Sequence, residues 1–168
     1  MAGGLLNLTE GNEKGFDPLP PGAYLCEVHS VEMAETKGEG KLPKSPMLKV
    51  QWKVLSTRDG ETEIMDDEDG QVVKLENRRF FSQNVIPPKE IDGEKYEHYE
   101  MMLGQVIRMF KALGYDEKEV KNPKGFTPDF DDMAGRQAIV TVGRDMEYGS
   151  NPVKGVKPVG EATVAGLH

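Results

Sequence analysis

A mainly β domain with one substantial helix is the expectation this sequence sets, and three observations carry it. Glycine and proline are plentiful, 19 and 11 of 168 residues, which suits short strands joined by turns better than a helical bundle. The run Met47 to Leu55 alternates strictly, with Leu48, Val50, Trp52 and Val54 on one side and Lys49, Gln51 and Lys53 on the other, as in a half-buried strand. Convincing helical spacing of apolar residues occurs in one place, Glu94 to Leu113.

The elements follow in order. Pro20-Pro21-Gly22 marks the entry to a first strand, Ala23 to Met33. Tyr24, Cys26 and Val28 share one phase and Val31 and Met33 the other, so a bulge is expected near His29-Ser30, where a long strand can bend. Lys37 to Lys44 is a flexible basic loop leading into the second strand, which ends near Ser56. Thr57 to Gly70 is a long acidic connection. A third strand is predicted from Gln71 to about Gln83, with Val73, Leu75 and Phe81 in its inward phase. Asn84 to Gly93, with Pro87-Pro88 inside it, reads as a linker. The helix carries Tyr99, Met102, Leu103, Val106, Phe110 and Leu113 on one face, with Gly114 as its stop and Lys111 in its last turn. Gly104 costs a helix about 1 kcal/mol relative to Ala, which points to close packing against a strand. Asn122 to Gly135 is irregular, Arg136 to Gly143 is a fourth strand, and Tyr148 to Val156, broken by Gly149 and Asn151-Pro152, is a weaker fifth.

Three strands, a helix and two strands is the element order of a five-stranded Greek-key barrel of the OB type, whose α-helix lies between strands three and four. A β-sandwich with one covering helix would use the same strands. Val28, Val50, Trp52, Val54, Leu75 and Val140 are expected to meet in one core closed at one end by the helix. The domain is placed at 17–158, with an N-terminal arm at 1–16 and a C-terminal tail at 159–168.

The net charge of −8 weighs against nucleic acid, but the charge is not spread evenly. Asp59, Glu61, Glu63, Asp66, Asp67, Glu68 and Asp69 lie in one segment with no basic residue among them; without them the chain goes from −8 to −1, leaving room for a local positive face. This segment is expected to be a mobile hairpin extension. Cys26 is the single cysteine, so no internal disulfide forms and a reducing, cytoplasmic setting is expected. No apolar run approaches the ~20 residues of a membrane span. Met1 to Leu8 lacks a basic signal-peptide start, so no secretory signal is expected.

Candidate ligand contacts come from the basic and aromatic positions. Lys37, Lys41 and Lys44 occupy the loop that in OB barrels grips a nucleic-acid backbone, where lysines gain affinity by releasing counterions. Lys49, Gln51 and Lys53 form the outward face of the second strand. Asn77-Arg78-Arg79-Phe80-Phe81 interleaves charge with rings on which bases can stack. On the phase of the third strand Arg78 and Phe80 point outward with Lys74 and Glu76, while Phe81 points to the core; packing beneath the linker is the competing role for Phe80. Trp52 belongs to the core by its phase, and Tyr148 is assigned to neither side. Lys37, Lys41, Lys44, Lys49, Lys53 and Arg78 are expected to form one basic surface.

Catalytic and metal signals are weak by comparison. His29, His98 and His168 share no ligand spacing, and Asp66-Asp67-Glu68-Asp69-Gly70 lacks the alternating ligands of an EF-hand loop. Lys37-Gly38-Glu39-Gly40-Lys41 precedes a strand, which is wrong for a phosphate loop, and no nucleophile–base arrangement stands out. A binding protein with no cofactor and no metal is therefore expected rather than an enzyme.

Leu19-Pro20-Pro21-Gly22-Ala23-Tyr24, then Lys37-Gly38 with Met47-Leu48, Ala112-Leu113-Gly114-Tyr115, Gly135-Arg136 and Asn151-Pro152-Val153-Lys154 give the chain a further character. In these short motifs, in order from residue 16 to residue 158, it resembles a family of small phage-encoded single-stranded DNA-binding proteins of the OB type, found among phage replication and recombination genes. The resemblance implies sequence-tolerant binding of single-stranded DNA in the host bacterial cytoplasm. It leaves homo-oligomers and replication or recombination proteins of phage or host open as partner classes. The sequence departs from bacterial single-strand binding proteins in ending Ala165-Gly166-Leu167-His168 rather than in an acidic tail with a terminal Phe, so tail-mediated recruitment is not expected. The alternative reading is a phage accessory or structural module that engages other proteins and no nucleic acid.

Overall fold

A first strand of fourteen residues, β1 (Gly22–Glu35), pairs with the alternating strand β2 (Pro46–Thr57) and organises the rest of the molecule. The computed structural model describes residues 17–38, 40 and 42–160. The order continues β3 (Glu63–Met65), β4 (Val72–Lys74), β5 (Arg79–Val85), β6 (Glu90–Ile91), β7 (Glu94–Lys95), α1 (Tyr99–Ala112), α2 (Glu117–Val120), α3 (Phe130–Met133), β8 (Gln137–Val142) and β9 (Val153–Lys157).

Five of the strands form one antiparallel sheet in the order β5-β2-β1-β8-β9, curled into a half-barrel. After the meander β1-β2-β5, the chain passes through α1 and returns as β8 beside β1, a Greek-key connection. β3–β4 and β6–β7 are separate two-stranded hairpins. Register shifts between Val28 and Ser30, and between Leu25 and Cys26, bend β1. The first is the bulge expected from the phase change at His29-Ser30.

The core gathers the predicted residues. Val28, Val50, Trp52, Val54, Leu75 and Val140 lie in one buried cluster, and α1 adds Val106, Met109 and Phe110 to it, with Leu113 at its C-cap. Trp52 is fully buried, and its Nε1–H donates to Ser82 Oγ at 3.0 Å, so the ring is fixed by burial and by one directed bond. The Tyr24 ring meets Phe80 edge-on at 5.4 Å, and its hydroxyl donates to the Pro20 carbonyl at 2.6 Å.

The helix stops as its sequence requires. Gly114 takes a left-handed φ of 98°, its N–H donates to the Lys111 carbonyl, and the Tyr115 N–H reaches back to Phe110. The Tyr115 and Phe110 rings then pack edge-on, the apolar contact that accompanies this motif. The helix begins at Tyr99, five residues later than its pattern suggested, because β7 and a turn take up the stretch before it. A Cβ on Gly104 would meet the Arg108 guanidinium at 3.4 Å; the glycine makes room for a side chain of its own helix, not for a strand.

Four expectations are corrected. The third strand is not continuous from 71 to 83. It is β4 and β5 separated by a turn in which Asn77 adopts a left-handed φ of 63°. The linker expected from Asn84 begins inside β5 and contains β6. The fifth strand begins at Val153, because Tyr148 belongs to a turn closed by the Asp145–Ser150 bridge. The acidic connection enters a hairpin, β3–β4, as expected, but the hairpin is tied to the body of the fold, because Asp66 is buried. Its carboxylate takes both Arg144 Nη1 and Nη2, at 3.0 and 2.6 Å. The 1–16 arm and residues 161–168 of the expected tail lie outside the described residues.

Candidate nucleic-acid interface

The inward positions of β2 are Leu48, Val50, Trp52 and Val54, so Lys49, Gln51 and Lys53 lie on the opposite, outer face of the curled sheet. The register then fixes what stands beside them. Gln83 is opposite Lys49, Phe81 is opposite Gln51, and Arg79 is opposite Lys53. Arg79, Phe81 and Gln83 are all exposed, and the Arg79 guanidinium donates to Gln51 Oε1 at 3.3 Å.

Two site expectations are thereby corrected. Phe80 is 1% exposed and faces Trp52 in the core; Phe81, at 63%, is the ring on the outer face. Arg78 does not join that face. Its guanidinium donates to the Asp17 carbonyl, and partial burial pulls it below the usual arginine range. The reason is common to both. From Leu75, which is buried, to Phe80, which is buried, is an odd number of residues, and the left-handed turn at Asn77 absorbs the extra one. One residue of slip transfers every side chain of a strand to the other face. Arg79, Phe81 and Gln83 were missed for this reason. Asn77, a residue depleted in strands and tolerant of positive φ, was the available signal.

The neighbouring strand sets the limits of the positive face. Glu32 stands opposite Lys49 and Glu27 opposite Lys53 on β1, so positive potential is offset on that side and concentrates toward β5. There Lys53 and Arg79 form a like-charge pair directly across the ladder, an arrangement that costs stability in an unliganded sheet. Lys37 and Lys44 are exposed in the loop between β1 and β2, whose base is closed by Thr36–Ser45 backbone and hydroxyl bonds. Lys41 lies outside the described residues. Tyr148, which the sequence left unassigned, is 74% exposed in the loop between β8 and β9.

Among the described residues the five-stranded ladder does not close. β5 and β9 are its two edges, and a cleft of about 1010 Å³ runs between them, with Gln105, Arg108 and Met109 of α1 in its lining. Arg79, Phe81 and Gln83 line this cleft as well as the outer face.

Two other groups bear on the chemistry. Arg144 holds the Asp66 carboxyl below the usual carboxylate range, and a second carboxylate, Glu68, lies 3.4 Å from Arg144 Nη1. Burial pushes the Cys26 thiol up to about 12, which suits a core residue rather than a nucleophile. Among the described residues no group of three or more His, Cys, Asp or Glu side chains could hold a metal ion, and no helix is long and apolar enough to cross a membrane.

The sequence matches no protein-family model and no curated protein.

Proposed function

We propose that this protein binds single-stranded nucleic acid, single-stranded DNA in a phage replication or recombination setting, through an OB-type barrel. The observation that carries this reading is the outer face of β2 and β5. An exposed Phe81 sits among Lys49, Lys53 and Arg79, with Lys53 and Arg79 held directly opposite each other. Like charges paired across a sheet are relieved by an anion between them, and an exposed ring beside them offers a base a stacking partner. The strand order β5-β2-β1-β8-β9 supports the OB reading, since it is the order of the five OB strands opened between the third and the fifth. Lys37 and Lys44 extend the basic surface into the loop that enters β2. The mechanism is electrostatic tracking with limited stacking, and it uses no catalytic group.

A specific observation favours a second reading, a protein-interaction module. Val54 N–H bonds the Arg78 carbonyl, so the alternation of the ladder turns the main-chain groups of Arg79, Phe81 and Gln83 away from β2 toward an edge that no described strand covers, where another chain could add a strand. Fluorescence anisotropy with oligo-dT and with duplex DNA at two salt concentrations separates the two. Single-strand binding that weakens with salt, tighter than duplex binding, supports the first; no binding to either at low salt rejects it.

A further inference from the structure

The cleft between β5 and β9 has a charge unlike that of the chain around it. Among the described residues Arg78, Arg79, Arg108, Lys154 and Lys157 line it, against one carboxylate, Asp17, in a chain whose net charge is −8. These cations come from separate elements: β5 and the turn before it, α1, and β9. Gly104 leaves space for the Arg108 guanidinium. The volume, about 1010 Å³, is at the top of the roughly 300–1,000 Å³ range of small-molecule sites, and the amide side chains of Gln83 and Gln105 add neutral donors and acceptors, while those of Asn84 and Asn151 are bonded within the fold. Arg79 and Phe81 belong both to this cleft and to the outer face, so the two surfaces are continuous.

We infer that the cleft is the second half of the nucleic-acid path: a single strand crosses the outer face of β2, turns over the edge of β5 at Phe81, and continues between β5 and β9 with its phosphates against Arg108, Lys154 and Lys157. The inference rests on the single-strand binding proposed above. An acidic peptide strand would find the same cations, but the exposed ring at the lip and the amide groups within suit bases and phosphates. The site assigns Arg108, Lys154 and Lys157 to binding, none of which lies in the outer-face strands β2 and β5.

Oligonucleotide length provides the test. Labelled oligo-dT of about 6 and about 15 nucleotides, within the span of single-strand sites, is titrated against the full chain and against the triple variant R108A/K154A/K157A. The expected result is a loss of about tenfold or more for the longer oligonucleotide, little loss for the shorter, and a log–log salt slope for the longer one reduced by roughly 2, at about 0.7 per phosphate contact. Wild-type binding with the triple variant unchanged at both lengths overturns the cleft path while leaving outer-face binding in place. Failure of the wild-type protein to bind either length overturns both. Photocrosslinking of oligo(5-iododeoxyuridine) to the unmodified protein, mapped by mass spectrometry, needs no variant: crosslinks at Phe81 together with the Arg108 or Lys154–Lys157 peptides support the path, and crosslinks confined to β2 and β5 overturn it. Occupation of the cleft by a Glu-rich peptide that leaves oligo-dT binding unaffected also overturns it.

Discussion

Phe80 stands directly opposite Trp52 across the β2–β5 pair, and this one register contact decides which of two adjacent phenylalanines can meet a ligand. Because Phe80 is inward, Phe81 is outward, opposite Gln51 and two residues from Arg79.

The two rings therefore give opposite results on truncation. Phe81→Ala is expected to weaken oligo-dT binding by about 1–3 kcal/mol with little change in salt slope or stability. Phe80→Ala removes a buried ring and is expected to cost about 3–5 kcal/mol of stability. Anisotropy titration and urea denaturation of both variants check this, and an affinity loss confined to a destabilised Phe80→Ala would reverse the assignment.

Removing one partner of the Lys53–Arg79 pair tests whether the face trades stability for binding. Arg79→Gln relieves the cross-strand repulsion and is expected to raise stability by roughly 0.2–1 kcal/mol. The same change is expected to weaken oligo-dT binding and to lower the salt slope by about 0.7. A variant that loses stability and keeps its affinity would place both side chains in a structural role.

The Asp66–Arg144 pair joins the acidic hairpin to the start of the β8–β9 loop, and Arg144 Nε is buried without a partner among the described residues. Replacing residues 59–69 by a short Gly/Ser turn is therefore expected to destabilise the fold, since it leaves a buried guanidinium unpaired. Asp66→Asn should lower the melting temperature by several degrees at neutral pH. The folded state lowers the Asp66 pKa, so the wild-type advantage over Asp66→Asn is fully present above the unfolded value of about 3.9 and disappears as pH falls through the lower folded value. Thermal melts from pH 7 downward follow it; an advantage that grows on acidification would contradict the pairing.

At alkaline pH the sign reverses. Burial raises both the Cys26 thiol and the Tyr24 phenol to about 12. Their contribution to stability is complete below the unfolded values, about 8.5 and 10, and is lost as pH rises toward the folded ones. At pH 8 Cys26 should resist thiol reagents in the folded protein and react at the rate of global opening. Fast labelling of native protein would show the site to be open.

Much of the fold was legible because it is written locally. A strand with one buried face needs only alternation, and Leu48 to Val54 supplies it, which is why Trp52 was assigned inward and Lys49, Gln51 and Lys53 outward. The bulge at His29-Ser30 was legible as a break in the same alternation, and the helix stop as a glycine following an apolar 3.6-residue period. The candidate site was legible on β2 and illegible on β5, because phase does not carry across a turn: Asn77 absorbs a residue between Leu75 and Phe80 and exchanges Phe80 with Phe81.

By itself, then, the sequence determined the mainly β class, the core face of β2 and the glycine stop of the helix. All of these depend on spacings of a few residues. Only the tertiary structure decided what is set by partners distant in the chain. Asp66 is buried because Arg144 lies 78 residues away in sequence and beside it in space. Lys53 faces Arg79 because β2 and β5 pair in one register among several that their lengths would allow. The basic cleft exists because curling the sheet brings β9 toward β5 across α1, and charges that look scattered along the chain converge there.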